Sequence, residues 1–155
     1  MKTPLRTGFL KGAVKPDEAS SIFVLLRDSI EWEDGVPSRK HGFTRKAKAL
    51  SVGDYPLLDS LIVNTLRKLT NTNYAIMGVY LNYYENGNMF TPNHSHPGSH
   101  QMVISLGETR VLTVGKKEYP MSNGDAIIFG SSIHGVPKST SDKGRISIAT
   151  FMIPI

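Results

Sequence analysis

The sequence of 155 residues contains no cysteine, so neither a disulfide nor a thiolate metal site can form. It also lacks any apolar run near the roughly 20 residues that a transmembrane helix needs. Residues 1–15 do not contain the apolar segment of a secretory signal. We therefore expect an intracellular protein, cytoplasmic or nuclear, with no membrane partner. The length predicts a single domain over residues 1–155 with one buried core, and we expect a monomer.

Acidic residues are fewer than basic ones, 13 against 18, which leaves a formal net charge of +5. This balance favours polyanionic partners, nucleic acid above all, although many small proteins are basic without such a partner. Residues 39–48, the basic segment, contain five cations and no acid, within a region (33–50) that we interpret as a long loop or ribbon. The residues of this segment that could contact a partner are Arg39, Lys40, Phe43, Arg45, Lys46 and Lys48. The basic segment is either a solvated loop or a surface that contacts phosphates and stacks on a base.

Two segments have the periodicity of amphipathic helices. Pro16 suits a first helical turn, and apolar residues then recur at helical spacing as far as Ile30; the second segment covers residues 56–69. From Tyr74 onward, short apolar runs alternate with turn signals, at residues 74–81, 100–106, 110–114, 126–129 and 146–153. Many short strands at close intervals are typical of a β-sandwich or barrel. The sequence therefore predicts an α+β protein in which two N-terminal helices pack on a β-rich C-terminal core.

Four of the five histidines fall between positions 94 and 134. His94 and His96 are two residues apart, so on a β-strand their rings would point to the same side. His134, from a distant strand, would complete a three-ligand metal site with the open positions that a catalytic iron needs. Two arrangements fit this spacing: a cupin-type site, and the facial triad of non-haem iron oxygenases, in which the third ligand is normally a carboxylate. His100 is the alternative ligand, but it lies beyond a Pro-Gly turn.

Six motifs in a fixed order resemble those of the AlkB-like iron(II)/2-oxoglutarate dioxygenases, over residues 9–152. They lie at residues 81–87, 94–96, 104–107, 122–125, 134–137 and 145–151. In turn they are similar to the family's N-x-Y-x-x-G segment, its H-x-D ligand pair, its S-L-G strand, the turn before the second ligand strand, H-x-V-P and the terminal R-x-[NS]-x-T-F-R. The resemblance implies a double-stranded β-helix (jelly-roll) core over residues 74–155. Residues 1–73 would form a helical and loop region on the substrate side, so the resemblance makes the six residues of the basic segment named above candidates for binding the substrate.

The resemblance also implies a set of site residues. The metal ligands for Fe(II) are His94, His96 and His134. The side chains that bind the cosubstrate 2-oxoglutarate are Asn82, Tyr84, Arg145, Ser147 and Thr150. Arg145 would pair with the distal carboxylate, because a planar guanidinium matches a carboxylate fork.

Two positions depart from the family pattern. His96 stands where the pattern has aspartate, so a neutral ligand replaces an anionic one and the charge of the metal site rises by one unit. Met152 stands near the position of the final arginine, whose counterpart would contact the C1 end of 2-oxoglutarate. The consequence of both changes is open: the site is either an altered oxygenase site or an inactive one.

Three functions are compatible with these residues. The first is an iron(II)/2-oxoglutarate dioxygenase that hydroxylates and thereby demethylates an alkylated DNA or RNA base, as in DNA repair; proteins are also substrates of related dioxygenases. The second is a nucleic-acid-binding module on the same scaffold, with a degenerate iron site. The third is a cupin-like metalloprotein that uses three histidines without 2-oxoglutarate.

Overall fold

The computed structural model describes residues 5–35, 37 and 39–155. Helices α1 (Pro16–Ser29) and α2 (Pro56–Leu69) both begin with a proline, which costs no hydrogen bond in a first helical turn. Both lie where the apolar periodicity predicts them. In the described part of the chain, no helix is long and apolar enough to cross a membrane.

The strands form two antiparallel sheets that face each other. They are β1 (Gly8–Leu10), β2 (Glu33–Asp34), β3 (Lys46–Leu50), β4 (Tyr74–Tyr84), β5 (Thr91–His94), β6 (His100–Gly107), β7 (Arg110–Val114), β8 (Lys117–Met121), β9 (Ala126–Phe129), β10 (His134–Val136) and β11 (Arg145–Pro154). The larger sheet has the order β1-β9-β6-β11-β4-β3-β2, and the smaller one the order β5-β10-β7-β8. This arrangement, with the two helices, confirms the predicted jelly-roll core and its N-terminal helices.

The core has two parts, one on each face of the larger sheet. On the outer face, Leu26 of α1 and Ile62 of α2 pack against strand residues such as Ile148. On the inner face, residues of both sheets meet, among them Leu112 of the smaller sheet and Phe129 of the larger one. The helices therefore close one side of the larger sheet and leave the space between the sheets for a cavity.

Strand β11 divides its side chains between these two faces. Ile146, Ile148 and Met152 belong to the core under the helices. Arg145, Ser147, Ala149 and Phe151 line the cavity between the sheets. Successive residues of a strand point to opposite faces, so this alternation decides which polar residues of β11 reach the cavity.

Part of the region interpreted as a loop or ribbon belongs to the larger sheet. Strand β3 pairs with β4 along its whole length, and the two-residue strand β2 pairs with β3 at the sheet edge. Strands β1, β8 and β10 are absent from the predicted runs. They have only three to five residues each, and such short segments carry little periodicity of their own.

Candidate metal centre and adjoining cavity

Three histidines form a cluster in the wall of the cavity between the sheets. The candidate ligand atoms of His94, His96 and His134 all lie within 4.8 Å of one another. His94 ends β5 and is paired directly with His134, the first residue of β10. The ring centroids of these two residues are 4.3 Å apart, and the His96 ring lies 4.8 Å from that of His94. Residues distant in the sequence thus meet with the spacing that a single metal ion requires.

The prediction that one strand carries both His94 and His96 is wrong in one respect. Strand β5 ends at His94, and residues 95–96 are irregular. The ladder stops there because its partner β10 begins at His134, opposite His94, and offers no further residue for pairing. The chain beyond the strand nevertheless brings the His96 ring back to the cluster.

Backbone carbonyl groups orient two of the three rings. Nδ1 of His94 lies 2.8 Å from the carbonyl oxygen of Pro92, and Nδ1 of His134 lies 2.9 Å from that of Ser132. A carbonyl only accepts, so each Nδ1 carries the proton and donates it. In each ring, Nε2 is then the unprotonated nitrogen, the form that binds a metal.

Burial disfavours the charged form of His134 and His96. It lowers the pKa of His134 to about 4, and it also lowers the pKa of His96, with a smaller contribution from His94. The His96 ring packs edge-on against Phe151, with centroids 5.0 Å apart. Neutral imidazoles are therefore available for metal binding at physiological pH.

The cavity beside the cluster has a volume of about 410 Å³ and runs between the two sheets. All three histidines contribute to its wall. No aspartate or glutamate is found among the described residues that line it, whereas Arg45 and Arg145 are. The cavity is therefore suited to an anion.

Arg145 is the most unusual group in this wall. It is 1% exposed, and its Nε donates to Oγ of Ser105 at 2.9 Å. Its Nη1 and Nη2 have no partner among the described residues. Burial lowers the pKa of Arg145 to about 10, so the side chain keeps its charge at neutral pH. A buried guanidinium without a counter-charge is costly, and its two free nitrogens match a carboxylate.

Three further polar residues predicted to bind the cosubstrate line the same cavity. Nδ2 of Asn82 donates to Oγ of Ser147 at 3.3 Å, while Oδ1 of Asn82 accepts from Nε of Arg45 at 2.7 Å. The hydroxyl of Tyr84 lies 2.6 Å from Oγ1 of Thr91. The structure thus brings Asn82, Tyr84 and Ser147 to the end of the cavity where Arg145 lies.

Thr150 is the exception among the predicted cosubstrate residues. It is fully buried and lies on the face of β11 that carries Ile148 and Met152, towards the helices. Its Oγ1 has no hydrogen-bond partner among the described residues. The structure therefore does not bring Thr150 to the cavity, because Thr150 lies three positions after Ser147 and five after Arg145, and odd offsets along a strand point to opposite faces.

The two remaining histidines lie outside the cluster. Nδ1 of His100 is 2.7 Å from the hydroxyl of Tyr74, on the neighbouring part of the larger sheet. His41 is exposed, and its ring packs edge-on against Phe90. His100 thus has a structural partner and is not grouped with the three clustered histidines.

The basic segment does not form one continuous cationic surface. Lys46 pairs with Glu85 at 3.3 Å, and Lys48 pairs with Glu33 at 2.9 Å. Arg45 turns into the cavity. Arg39, Lys40 and Phe43 remain exposed, and the Phe43 side chain is 60% exposed. Phe43 also lines a second groove of about 490 Å³, to which Phe90 and Lys138 contribute.

Sequence reasoning missed several buried polar residues, among them Gln101 and Arg110. Gln101 is 2% exposed and lines the cavity, and its Nε2 has no partner among the described residues. Arg110 is also buried, and its Nη2 donates to the carbonyl oxygens of Met89 and Pro137 at 2.7 and 2.8 Å. A glutamine directly before the apolar residues Met102, Val103 and Ile104 is the one signal that could have found Gln101.

No protein-family model matches this sequence, and neither does any curated protein. Solved structures do match. One is the viral collagen prolyl hydroxylase of Paramecium Bursaria Chlorella virus-1 in its 2-oxoglutarate complex, with a TM-score of 0.68, 12% identity and 94% of each chain covered. Another is an oxidoreductase of the 2-oxoglutarate-Fe(II) oxygenase family from Burkholderia pseudomallei, with a TM-score of 0.68, 15% identity and coverage of 95% of this chain and 85% of that one.

A third similar structure is a prolyl hydroxylase from Trichoplax adhaerens in complex with a fragment of the hypoxia inducible factor oxygen degradation domain. Its TM-score is 0.67 at 12% identity, and the match covers 95% of this chain and 83% of that one. At such identities the likeness establishes the fold, which is the fold of the 2-oxoglutarate/Fe(II) oxygenases. It does not separate the AlkB-like branch from the others.

Proposed function

We propose that this protein is an iron(II)- and 2-oxoglutarate-dependent dioxygenase. One observation carries the proposal: the buried guanidinium of Arg145, with two unpaired nitrogens, lines the same cavity as a cluster of three histidines. A metal site alone would also suit a cupin-like metalloprotein. The unpaired cation beside it adds a requirement for an anionic ligand, which 2-oxoglutarate meets.

The residues of the cluster fit iron(II). His94, His96 and His134 would hold the ion through neutral imidazole nitrogens, a donor type that suits iron. Two of the rings are oriented by backbone carbonyls, and such outer contacts hold a ligand ready for the metal. Three protein ligands leave coordination positions for the cosubstrate and dioxygen.

The opposite end of the cavity fits the distal carboxylate of 2-oxoglutarate. Arg145 would bind that carboxylate through Nη1 and Nη2, which the protein leaves unpaired. Asn82 and Ser147 lie beside it and are already hydrogen-bonded to each other. Tyr84 stabilises the position of Arg145 by a cation–π contact, since the guanidinium lies 5.3 Å from the centre of the Tyr84 ring.

Replacement of the usual aspartate by His96 makes the site more positive. Three neutral ligands leave the full charge of a divalent ion, and the lining of the cavity contains two arginines and no acid among its described residues. A doubly negative cosubstrate offsets this charge. The neutral ligand set is therefore compatible with 2-oxoglutarate binding and increases the attraction for it.

When bound, iron and 2-oxoglutarate supply the oxidation: dioxygen hydroxylates a C–H bond of the substrate while 2-oxoglutarate becomes succinate and carbon dioxide. The protein contributes placement and exclusion of water. Its histidines fix the position of the metal, and Arg145 fixes the far end of the cosubstrate. Val103 and Leu112 give the cavity apolar walls.

For the substrate, the AlkB-like motifs favour an N-methylated base of DNA or RNA, which would lose formaldehyde after hydroxylation. Exposed Arg39 and Lys40 offer phosphate contacts, and exposed Phe43 offers a stacking surface beside the second groove. The base would have to be flipped or already single-stranded. Lys46 and Lys48 contribute less than the sequence suggested, because both are paired with glutamates. A protein substrate is the alternative.

The test combines iron and 2-oxoglutarate without oxygen and records the visible absorption band of the metal–cosubstrate complex. Arg145→Gln is expected to weaken 2-oxoglutarate binding by about 10- to 100-fold, since a charge-assisted hydrogen bond is worth about 1.5–3 kcal/mol. Its iron affinity should be retained. Arg67→Gln, which removes an exposed cation from the end of α2, is the matched control.

Other outcomes would favour the other functions. Iron binding without the cosubstrate band would indicate a cupin-like metalloprotein, and absence of iron binding would indicate an inactive nucleic-acid-binding module. After oxygen is admitted, succinate is measured with and without single-stranded DNA, and with and without single-stranded RNA, each carrying N-methylated bases. A rate that neither nucleic acid increases would reject the base as substrate.

A further inference from the structure

Besides Arg145, Gln101 also places a buried nitrogen without a hydrogen-bond partner in the wall of the cavity, among the described residues. It lies on the cavity side of β6 and is almost fully buried, yet its amide nitrogen Nε2 makes no hydrogen bond within the described part of the chain. Buried polar groups in folded proteins are nearly always paired. Of the described residues with such unpaired buried atoms, only Gln101 and Arg145 line this cavity.

The register of the larger sheet places Gln101 beside the histidine cluster. Gln101 is paired with Phe151 of β11 on one side and with Phe129 of β9 on the other. The Phe151 ring lies 5.0 Å from the His96 ring, and the Phe129 ring lies 4.9 Å from the His134 ring. Both lateral neighbours of Gln101 thus touch candidate metal ligands.

Arg145 occupies the other end of the same wall. It is paired with Gly107, six positions further along β6 than Gln101, so the two backbones are roughly 20 Å apart along the strand. The Arg145 side chain shortens this distance, because its Nε reaches back to Ser105, two positions nearer to Gln101. The wall therefore presents two unpaired donors, one at the metal end and one at the far end. The metal end has no arginine from β11, because Met152 faces the helices and Phe151 occupies the cavity side.

We infer that Gln101 donates a hydrogen bond from Nε2 to the oxo-acid end of 2-oxoglutarate and so takes over the contact that Met152 cannot make. This inference rests on the proposed function. A neutral donor is adequate at this end, since the three-histidine site already carries one more positive charge than a site with a carboxylate ligand. Arg145 and Gln101 would then bind the two ends of one dicarboxylate.

A structural role for Gln101 makes the opposite prediction for stability. An amide that stabilised the fold would have a protein partner, and its loss would destabilise the empty protein. An amide that is unpaired until a ligand arrives costs stability in the empty protein, so an apolar residue of similar shape should be tolerated or even stabilising. Replacement of the Gln101 amide should therefore lower the affinity for 2-oxoglutarate without lowering the stability of the empty protein.

The experiment uses Gln101→Met and measures 2-oxoglutarate binding by calorimetry, without oxygen and with Mn(II) in place of iron. The dissociation constant is expected to rise about tenfold, as for the loss of a hydrogen bond to a charged group. Mn(II) affinity should stay within about twofold, and the melting temperature of the metal-free protein should be unchanged or higher. In turnover, KM for 2-oxoglutarate should rise more than kcat falls.

Two comparisons make the result unambiguous. Met102→Leu, at the next position and on the helix side of β6, controls for repacking of the strand and should leave binding unchanged. Arg145→Gln in the same assay reports on the proposed function itself. If Arg145→Gln weakens 2-oxoglutarate binding as expected but Gln101→Met does not change it, the role inferred for Gln101 is wrong and the proposed function stands. A wild-type protein that does not bind 2-oxoglutarate overturns both, and a clear drop in melting temperature in Gln101→Met indicates a structural amide instead.

Discussion

At the residue scale, the charge of the metal centre depends on His96. His94 and His134 are each oriented by a backbone carbonyl, whereas His96 lies beyond the end of β5 and packs against Phe151. Its position in the cluster therefore depends on the irregular segment after the strand rather than on strand pairing. An aspartate here would restore the anionic ligand of the AlkB-like pattern.

Substitution of His96 tests whether it binds the metal. His96→Ala should weaken iron affinity at least tenfold, because one of three ligands is lost, while His96→Asp should preserve or raise succinate production, because a carboxylate oxygen is a suitable third ligand. Iron affinity is measured by competition with a chelating dye. His100→Ala, which removes a histidine that contacts Tyr74 instead, is the control. Unchanged iron affinity in His96→Ala would remove His96 from the site.

At the element scale, strand β11 decides which polar side chains reach the cavity. Its odd-numbered residues from Arg145 to Phe151 line the cavity, and its even-numbered residues face the helices. The motif at residues 145–151 does not by itself show which of its residues face the cavity and which face the helices. The AlkB-like pattern suggests that Thr150 supports the cosubstrate, whereas its place on β11 is on the helix side.

Thr150→Val separates these two interpretations. The two side chains are nearly equal in shape, and the hydroxyl of Thr150 has no partner among the described residues. We expect 2-oxoglutarate affinity to stay within about twofold and the free energy of unfolding to rise by up to about 1 kcal/mol, because an unsatisfied buried hydroxyl is removed. Calorimetry and urea unfolding provide the two measurements. A tenfold loss of affinity would mean that Thr150 does serve the cosubstrate end.

At the scale of the whole molecule, burial of the histidine cluster between the two sheets makes the stability of the fold depend on pH. Burial lowers the pKa of His134 to about 4, and it lowers the pKa of His96 and His100 as well. The ordinary pKa of an unfolded histidine is about 6.5. As the pH falls below this value, the unfolded chain takes up protons that the folded protein does not bind, so stability is lost.

Metal-free protein should therefore unfold more easily in mild acid. Between pH 7.5 and pH 5, His134 alone should lower the free energy of unfolding by about 2 kcal/mol. Urea unfolding in the presence of a chelator measures this change. His134→Asn cannot titrate and should show a smaller dependence over the same range. An equal dependence in the variant would assign the effect to other groups.

Local sequence was sufficient for much of the fold. Pro16 and Pro56 each precede an apolar repeat at helical spacing, and both helices begin at those residues. The runs at 110–114 and 126–129 are the strands β7 and β9. These features depend on residues within a few positions of one another, so the local sequence predicts them. The histidine cluster could also be predicted from the sequence, because the order and spacing of the motifs restrict which histidines can be the ligands.

Tertiary structure alone decided whether each polar group has a partner. Lys46 and Lys48 read as free cations until β3 enters the sheet and brings them to Glu85 and Glu33. Gln101 belongs to none of the sequence motifs, and Arg145 was predicted only from a motif; the structure shows that buried nitrogens of both lack a hydrogen-bond partner among the described residues. Helices and turns are set by near neighbours, whereas the pairing of a charge or an amide is set by whichever distant segment packs against it.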